Sequence, residues 1–292
     1  GGARNNPVPG RAATTFHRNG CLLLTQQARR PQSGDALPMP GNCRLFLLPF
    51  LQVSPVDDIA LRSDMTVELI DNLGSDDRIA QAARVQRDYD EPVGDRKRVA
   101  GLIGYMMRNK HGSPFEVGQM TFLVEAPLFT IAQFQRHRIG WSYSQDSARW
   151  RECKPVFWVP GPDREYMKVP GSKPTEPQFA AEDDGNQSLT LADMRDVYEV
   201  AWECYSQHIA AGIASEVARA MLPQAIYSGM YVTCNPRSLC AFLSLRTKRD
   251  NAKFPSHPQR EIEEVAEKME AIFARLFPLT HSAFDEYGRV AP

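Results

Sequence analysis

Gln133-Phe134-Gln135-Arg136-His137-Arg138-Ile139-Gly140-Trp141-Ser142-Tyr143-Ser144-Gln145-Asp146-Ser147-Ala148-Arg149-Trp150 gathers arginine, histidine, serine and glutamine into eighteen residues. The segment ahead of it, Met120 to Phe134, is mostly apolar and reads as buried. A buried element therefore delivers a burst of hydrogen-bond donors at its end. Arginine offers a rigid planar fork suited to phosphate or to the edge of a planar heterocycle. Two such forks flanking an imidazole, with serines and glutamines beside them, point to a site for a phosphorylated, planar ligand. A plainer reading competes with this one. Arg-His-Arg at a helix C-terminus opposes the negative end of the helix dipole. The serines and Asp146 that follow would then be turn and cap residues.

Working outward, apolar periodicity gives the surrounding elements. Thr66–Asp71 alternates as a strand, and Asp76–Arg84 and Arg96–Asn109 read as helices, the second with Val99, Leu102, Ile103 and Met106 on one face. His111–Glu116 reads as a loop and Met120–Glu125 as a strand. Pro127 fits the first turn of a helix running to about His137. Residues 138–186 read as irregular, with short strands near Val156–Val159 and an exposed segment from 163 to 187. Ser188–Ala211 is a long helix whose expected inner stripe is Leu191, Met194, Val197, Val200, Ala201 and Tyr205. A short helix follows Ser215, then a strand over Ala225–Thr233 and a helix over Arg237–Arg246. Lys248–His257 reads as a polar loop. A last helix places Ile262, Val265, Met269, Ile272 and Leu276 at helical spacing. No internal repeat, phosphate-binding loop or G-x-G-x-x-G turn is present, so no Rossmann fold is expected.

Composition bounds the function. The net charge of -1 leaves no global attraction to nucleic acid or membrane, so phosphate affinity must come from local clusters. The six cysteines form no C-x-x-C pair, and no two histidines lie four apart, so free thiols and no metal site are expected. A cytoplasmic protein follows as the expectation. Residues 1–64 differ from the rest, with seven arginines but no lysine and no glutamate. Their apolar runs are too short to span a bilayer and lack the layout of a secretory signal. Met65 stands just before the first strand. The native start is therefore expected near Met65, with 1–64 a disordered or non-native N-terminal extension and 65–292 one domain.

The opening stretch resembles the signature of the flavin-dependent thymidylate synthases. That family carries Arg-His-Arg, a spacer, then Ser and usually Arg two residues on; here Arg136-His137-Arg138 leads to Ser147 and Arg149. Further pieces recur in the family's order. His111-Gly112-Ser113-Pro114-Phe115-Glu116 is similar to its His-x-Ser/Thr-x-Phe-Glu element. Ala218-Arg219 with Leu222-Pro223 resembles its Ala-Arg-x-x-Leu-Pro. Asn235-Pro236-Arg237, Leu245-Arg246 and Gln259-Arg260-Glu261-Ile262 resemble its Asn-x-Arg, Leu-Arg and Gln-x-Glu-Ile.

The resemblance covers about residue 65 to the C-terminus. It implies an α+β fold, a mixed sheet with long helices, assembled as a homotetramer with shared active sites. The implied reaction is FAD-dependent reductive methylation of dUMP to dTMP, with methylenetetrahydrofolate as carbon donor and NADPH as reductant. By the same resemblance, Gln133, Arg136, Gln145, Ser147, Arg149, Arg219 and Arg246 would hold dUMP. Arg246 would be catalytic, stabilising charge at the uracil edge. His111, Ser113, Arg136, His137, Arg138, Asn235 and Arg237 would hold FAD.

The chain departs from the pattern in carrying Val117 where the family often has His, Ala241 where it has Asn and Trp150 where it has Tyr. The loop Thr247–His257 is longer than the family's. Two other readings stand beside the enzyme: a nucleotide-binding member that has lost catalysis, and a module that stacks single-stranded nucleic acid on aromatics near Arg136, Arg138 and Arg149. The lack of a basic stripe weighs against the last, and neither a nucleic-acid nor a membrane partner is expected.

Overall fold

The structure is a computed structural model that describes residues 58–85, 94–181 and 184–292. The expectations for residues 1–57 lie outside the described residues. Residues 58–64, also assigned to the extension, belong to the fold. Ala60–Arg62 is a strand, β1, paired in parallel with β5 (Val156–Trp158). Arg62 bonds Asp64, Thr66 and Glu125. Residues ahead of Met65 are thus tied to the main sheet, because Arg62 finds acceptors at Thr66 of its first strand and at Glu125 of the strand beside it.

That sheet has four strands in the order β2 (Thr66–Leu73), β3 (Gln119–Pro127), β8 (Tyr227–Cys234), β4 (Trp141–Gln145). Every neighbouring pair is antiparallel, and among the described residues parallel pairing occurs only between β1 and β5. The expected mixed sheet is corrected accordingly. In β3, Met120, Phe122, Val124 and Ala126 are buried while Thr121, Leu123 and Glu125 between them are not. That alternation suits a sheet packed on one face, the usual habit of antiparallel strands. A minor hairpin, β6 (Met167–Lys168) with β7 (Phe179–Ala180), lies in the segment expected to be exposed.

The helices are α1 (Asp76–Ala82), α2 (Arg96–Arg108), α3 (Leu128–Phe134), α4 (Asp184–Ala210), α5 (Ser215–Ala218), α6 (Pro236–Arg246), α7 (Arg260–Leu276) and α8 (Pro278–Glu286). Short 3-10 turns cover Ser113–Glu116 and Arg219–Met221. Ser75, Asp95 and Asn235 cap α1, α2 and α6 through side-chain oxygens. Pro127 both closes β3 and is the N-cap of α3, one residue ahead of the expected first turn, and α3 ends at Phe134, three residues short of the expected His137.

The main core lies between the inner face of the sheet and α1, α2, α6, α7 and α8. A second cluster forms where α4 packs Tyr198, Trp202 and Tyr205 against Phe157 and Ile226. The expected inner stripe of α4 holds at Met194 and Tyr205 but not at Val197 and Val200. Val197 and Val200 are 59% and 61% exposed, and the aromatics face inward with the Phe157 and Tyr198 rings 4.9 Å apart. Large rings bury more apolar area than valines, so they decide which face turns in.

Candidate functional site

Helix α3 ends in Gln133 and Phe134, and the chain then turns sharply through Arg136-His137-Arg138 into β4. Three contacts fix that turn. The Tyr143 hydroxyl donates to the carbonyls of Phe134 at 3.0 Å and His137 at 2.6 Å. The Ser238 hydroxyl donates to Ile139 O at 2.9 Å. Gly140 takes φ +69, and a Cβ there would lie 2.1 Å from Ser238 Oγ, so the position requires glycine. Asn235 Oδ1 accepts from Ser238 N at 2.8 Å, which places Ser238. Asn235 therefore has a capping role that holds the Arg-His-Arg turn, whatever else it contacts.

Arg246, the last residue of α6, reaches into this turn. Its Nε donates to His137 Nε2 at 3.1 Å, its Nη1 to Gln133 Oε1 at 3.2 Å and its Nη2 to Gln133 O at 3.4 Å. A guanidinium only donates, so His137 Nε2 is an acceptor and the ring proton sits on Nδ1. Burial, reinforced by the Arg246 charge, pushes the His137 pKa down to about 4. His137 also packs edge-on against Phe242, with centroids 4.9 Å apart. Arg246 is itself pushed below the ordinary arginine value by burial and by Arg136. Among the described residues, no carboxylate pairs with Arg246, Arg136 or Arg138. Arg136 and Arg138 are exposed. The turn is therefore electropositive and rich in donors.

Gln135 Nε2 donates to Gln145 Oε1 at 2.9 Å, and Gln145 Nε2 donates to Ser228 Oγ at 3.3 Å. Gln145 then borders a cavity of about 590 Å³ beside β4 and β8, which Arg219, Arg151 and Tyr231 also line. Arg149 and Ser147 are not on its wall. Arg149 pairs with Glu216 at 3.1 Å and covers the ring of Trp150, which is 81% exposed. The residues expected to hold dUMP thus fall into two groups within one chain: Gln133, Arg136 and Arg246 at the turn, and Gln145 and Arg219 at the cavity, with Ser147 and Arg149 near the latter.

The residues expected to hold FAD divide similarly. His137, Arg138 and Asn235 belong to the turn. Arg237 lies near the other end of α6, about 14 Å from Arg246 by helical rise. There Arg237 pairs with Glu116 and donates from Nε to Pro292 O at 2.9 Å. A Cβ on Gly112 would lie 2.5 Å from the Arg237 guanidinium, so this glycine lets the arginine through. His111 is exposed and stacks on Tyr105 with centroids 5.7 Å apart, and Ser113 is exposed beside it. Gln135, Tyr143 and Ser238 receive no role in the sequence reading, and Gln259 enters it only as part of the Gln-x-Glu-Ile resemblance, although each fixes part of the site. For Tyr143 the signal is the alternation of Trp141, Tyr143 and Gln145.

The profile of the family described as thymidylate synthase complementing protein matches residues 68–279. Flavin-dependent thymidylate synthase of Streptomyces avermitilis is 49% identical over 245 residues, 82% of this chain and 99% of that protein. The enzyme of the same name from Streptomyces coelicolor is 50% identical over 244 residues, 82% of this chain and 98% of its own length. A solved structure, the UMP/dUMP methylase PolB from Streptomyces cacaoi bound with 5-Br UMP, superposes with a TM-score of 0.75 at 46% identity. It covers 80% of this chain and 99% of its own. The motifs, the donor-rich turn and these likenesses agree: the chain belongs to the family of flavin-dependent thymidylate synthases.

Proposed function

We propose that the protein carries out FAD-dependent reductive methylation of dUMP to dTMP, with methylenetetrahydrofolate as carbon donor and NADPH as reductant. The observation that carries this reading is Arg246, half-buried and held by neutral partners with no carboxylate. Such a cation keeps its charge available to a ligand. Negative charge grows on the uracil ring as C5 becomes nucleophilic, and a fixed guanidinium at the ring edge stabilises it. Gln133 and Arg136 sit beside Arg246 for the same substrate. Gln145, Ser147, Arg149 and Arg219 supply the phosphate end.

The donors at the turn also suit a flavin dinucleotide. Arg136 and Arg138 are exposed without acidic partners and fit a diphosphate, while the exposed His111 ring offers a stacking face. His137, Ser113, Asn235 and Arg237 complete the set. When bound, FAD reduced by NADPH supplies the hydride that completes the methyl group. The chain's own residues orient the rings and exclude water.

The two separated groups of substrate residues support a homotetramer in which neighbouring chains complete each site. The exposed Val197 and Val200 of α4 offer apolar surface for such contacts. No helix among the described residues is long and apolar enough to cross a membrane, and a cytoplasmic location is part of the proposal.

Release of tritium from C5-labelled dUMP, with FAD, NADPH and methylenetetrahydrofolate present, tests the reaction. Release dependent on all three is expected, and flavin-containing protein that releases none would leave only nucleotide binding. The named activity of PolB covers UMP as well as dUMP. Running the assay with both nucleotides decides between the ribose and deoxyribose substrates.

A further inference from the structure

The geometry points to Gln259 as a positioning residue for Arg246, acting through the amide of Gln133; the inference rests on Arg246 meeting the substrate, as proposed above. A glutamine amide has one accepting and one donating end, and it works only when each faces its complement. Gln133 Oε1 accepts from Arg246 Nη1 at 3.2 Å, while the Gln133 backbone carbonyl accepts from Nη2 at 3.4 Å. Were the amide turned over, its NH2 would face a guanidinium, donor against donor. The correct setting leaves Gln133 Nε2 pointing away from Arg246, where an acceptor on the exposed side of the turn can fix it. That acceptor is Gln259 Oε1.

Gln259 occupies the position just before α7, where side chains commonly cap the helix. It makes no cap bond, and its side chain is turned to Gln133 instead. A one-way chain of donors and acceptors results, from Gln259 through Gln133 to the guanidinium. With Nε on His137, Arg246 commits three N–H groups and keeps two of its five for a ligand. Gln259 would thereby select which two face the substrate without touching it.

The test compares Gln259→Met, close in shape but without an accepting oxygen, and Gln259→Glu, which can only accept. Exchange of the Arg246 Nε–H with solvent, followed by NMR on the full-length protein without substrate, reports how firmly the guanidinium is held. It depends neither on turnover nor on bound flavin. Faster exchange is expected in Gln259→Met and wild-type exchange in Gln259→Glu, with thermal unfolding unchanged in both. At saturating dUMP, Gln259→Met should turn over about tenfold more slowly, the weight of one hydrogen bond. It should add no further loss in a Gln133→Met background.

Wild-type exchange and turnover in Gln259→Met would overturn the inference, as would equally fast exchange in both variants. If Arg246→Ala itself kept full turnover, the functional reading would fail instead, and the exchange rates would still decide whether Gln259 holds the guanidinium.

Discussion

Two arginines on neighbouring segments meet opposite surroundings. Arg246 ends α6 in a bed of neutral acceptors, the His137 ring and Gln133, and is pushed down by burial and by Arg136. Arg289 is 3% exposed and lies against Glu270 at 2.7 Å and against Asp285. Burial works against its charge as well, but its bond to Glu270 leads the contacts that raise it overall. The two segments touch, because Arg289 Nη2 donates at 3.0 Å to the hydroxyl of Thr247, the residue after Arg246. The difference separates a charge that the fold has already balanced from one that it leaves available. Glu270, His281 and Asp285 have donor atoms close enough to suit a metal, yet Arg289 already supplies the positive charge among them. A buried pair of this kind fixes geometry, while an unbalanced arginine beside a second one attracts an anion.

The comparison breaks most severely if the balanced arginine can be removed cheaply. Arg289→Met leaves Glu270 and Asp285 facing each other without their shared cation. Chemical unfolding should show a loss of about 3 kcal/mol, the lower end for breaking a buried pair. Arg249 at 3.5 Å and His281 at 2.9 Å still face Glu270 and soften the effect. A loss below about 0.5 kcal/mol, within the range of ordinary surface substitutions, would mean that the network is not structural.

Acidity should undo the two regions in sequence. His137 is depressed to about 4, so the unfolded chain binds its proton first. Its contribution is present above about pH 6.5 and is lost as pH falls to about 4. Burial opposes the charge of Glu270, yet hydrogen bonds from His281 and Arg289 hold it at about 2. Its contribution is present above the ordinary carboxylate range and is lost as pH falls through about 2. Denaturant unfolding across pH should therefore decline in two stages, and His137→Asn should remove the upper one. Persistence of the upper stage in that variant would show that His137 is not its source.

The smallest effect belongs to an intermediate case. Arg149 has an acid partner, but the pair with Glu216 is about half exposed at 3.1 Å. Glu216→Ala should change stability by less than about 1 kcal/mol, because water already screens the charges. If Arg149 serves phosphate, freeing it should leave nucleotide binding intact. Weaker binding measured by calorimetry would instead make the pair a preorganising device.

The sequence made some of this visible. The Arg-His-Arg turn is readable from residue type and order, and Arg246 only through the family resemblance; the structure brings Gln133, His137 and Arg246 into contact across more than a hundred residues. The amphipathic spacing of α7 was equally plain, and Ile262, Val265, Met269 and Ile272 are buried as expected. What escaped depends on distant partners. Helix α8 is capped by Asp76, which accepts from Leu279 N and Thr280 N more than two hundred residues away. Strand β4 is polar enough to read as a loop until Tyr231, Val232 and Thr233 of β8 pair with it. The loop after Arg246 read only as polar. Its ties to α7 and to the C-terminal segment, Lys248 N to Glu263 at 2.8 Å and Lys253 N to Gly288 O at 2.9 Å, join groups with no local signature.

The most direct test of the difference between the two arginines is Arg246→Ala, assayed for dTMP formation, bound flavin and thermal unfolding on one preparation. Loss of a donor that acts in the transition state typically costs about 100- to 1000-fold in rate. The account predicts a loss of that size with flavin content and unfolding temperature near wild type, the reverse of Arg289→Met. Near-wild-type turnover, or loss of flavin and stability together with activity, would contradict it and make Arg246 a second structural arginine.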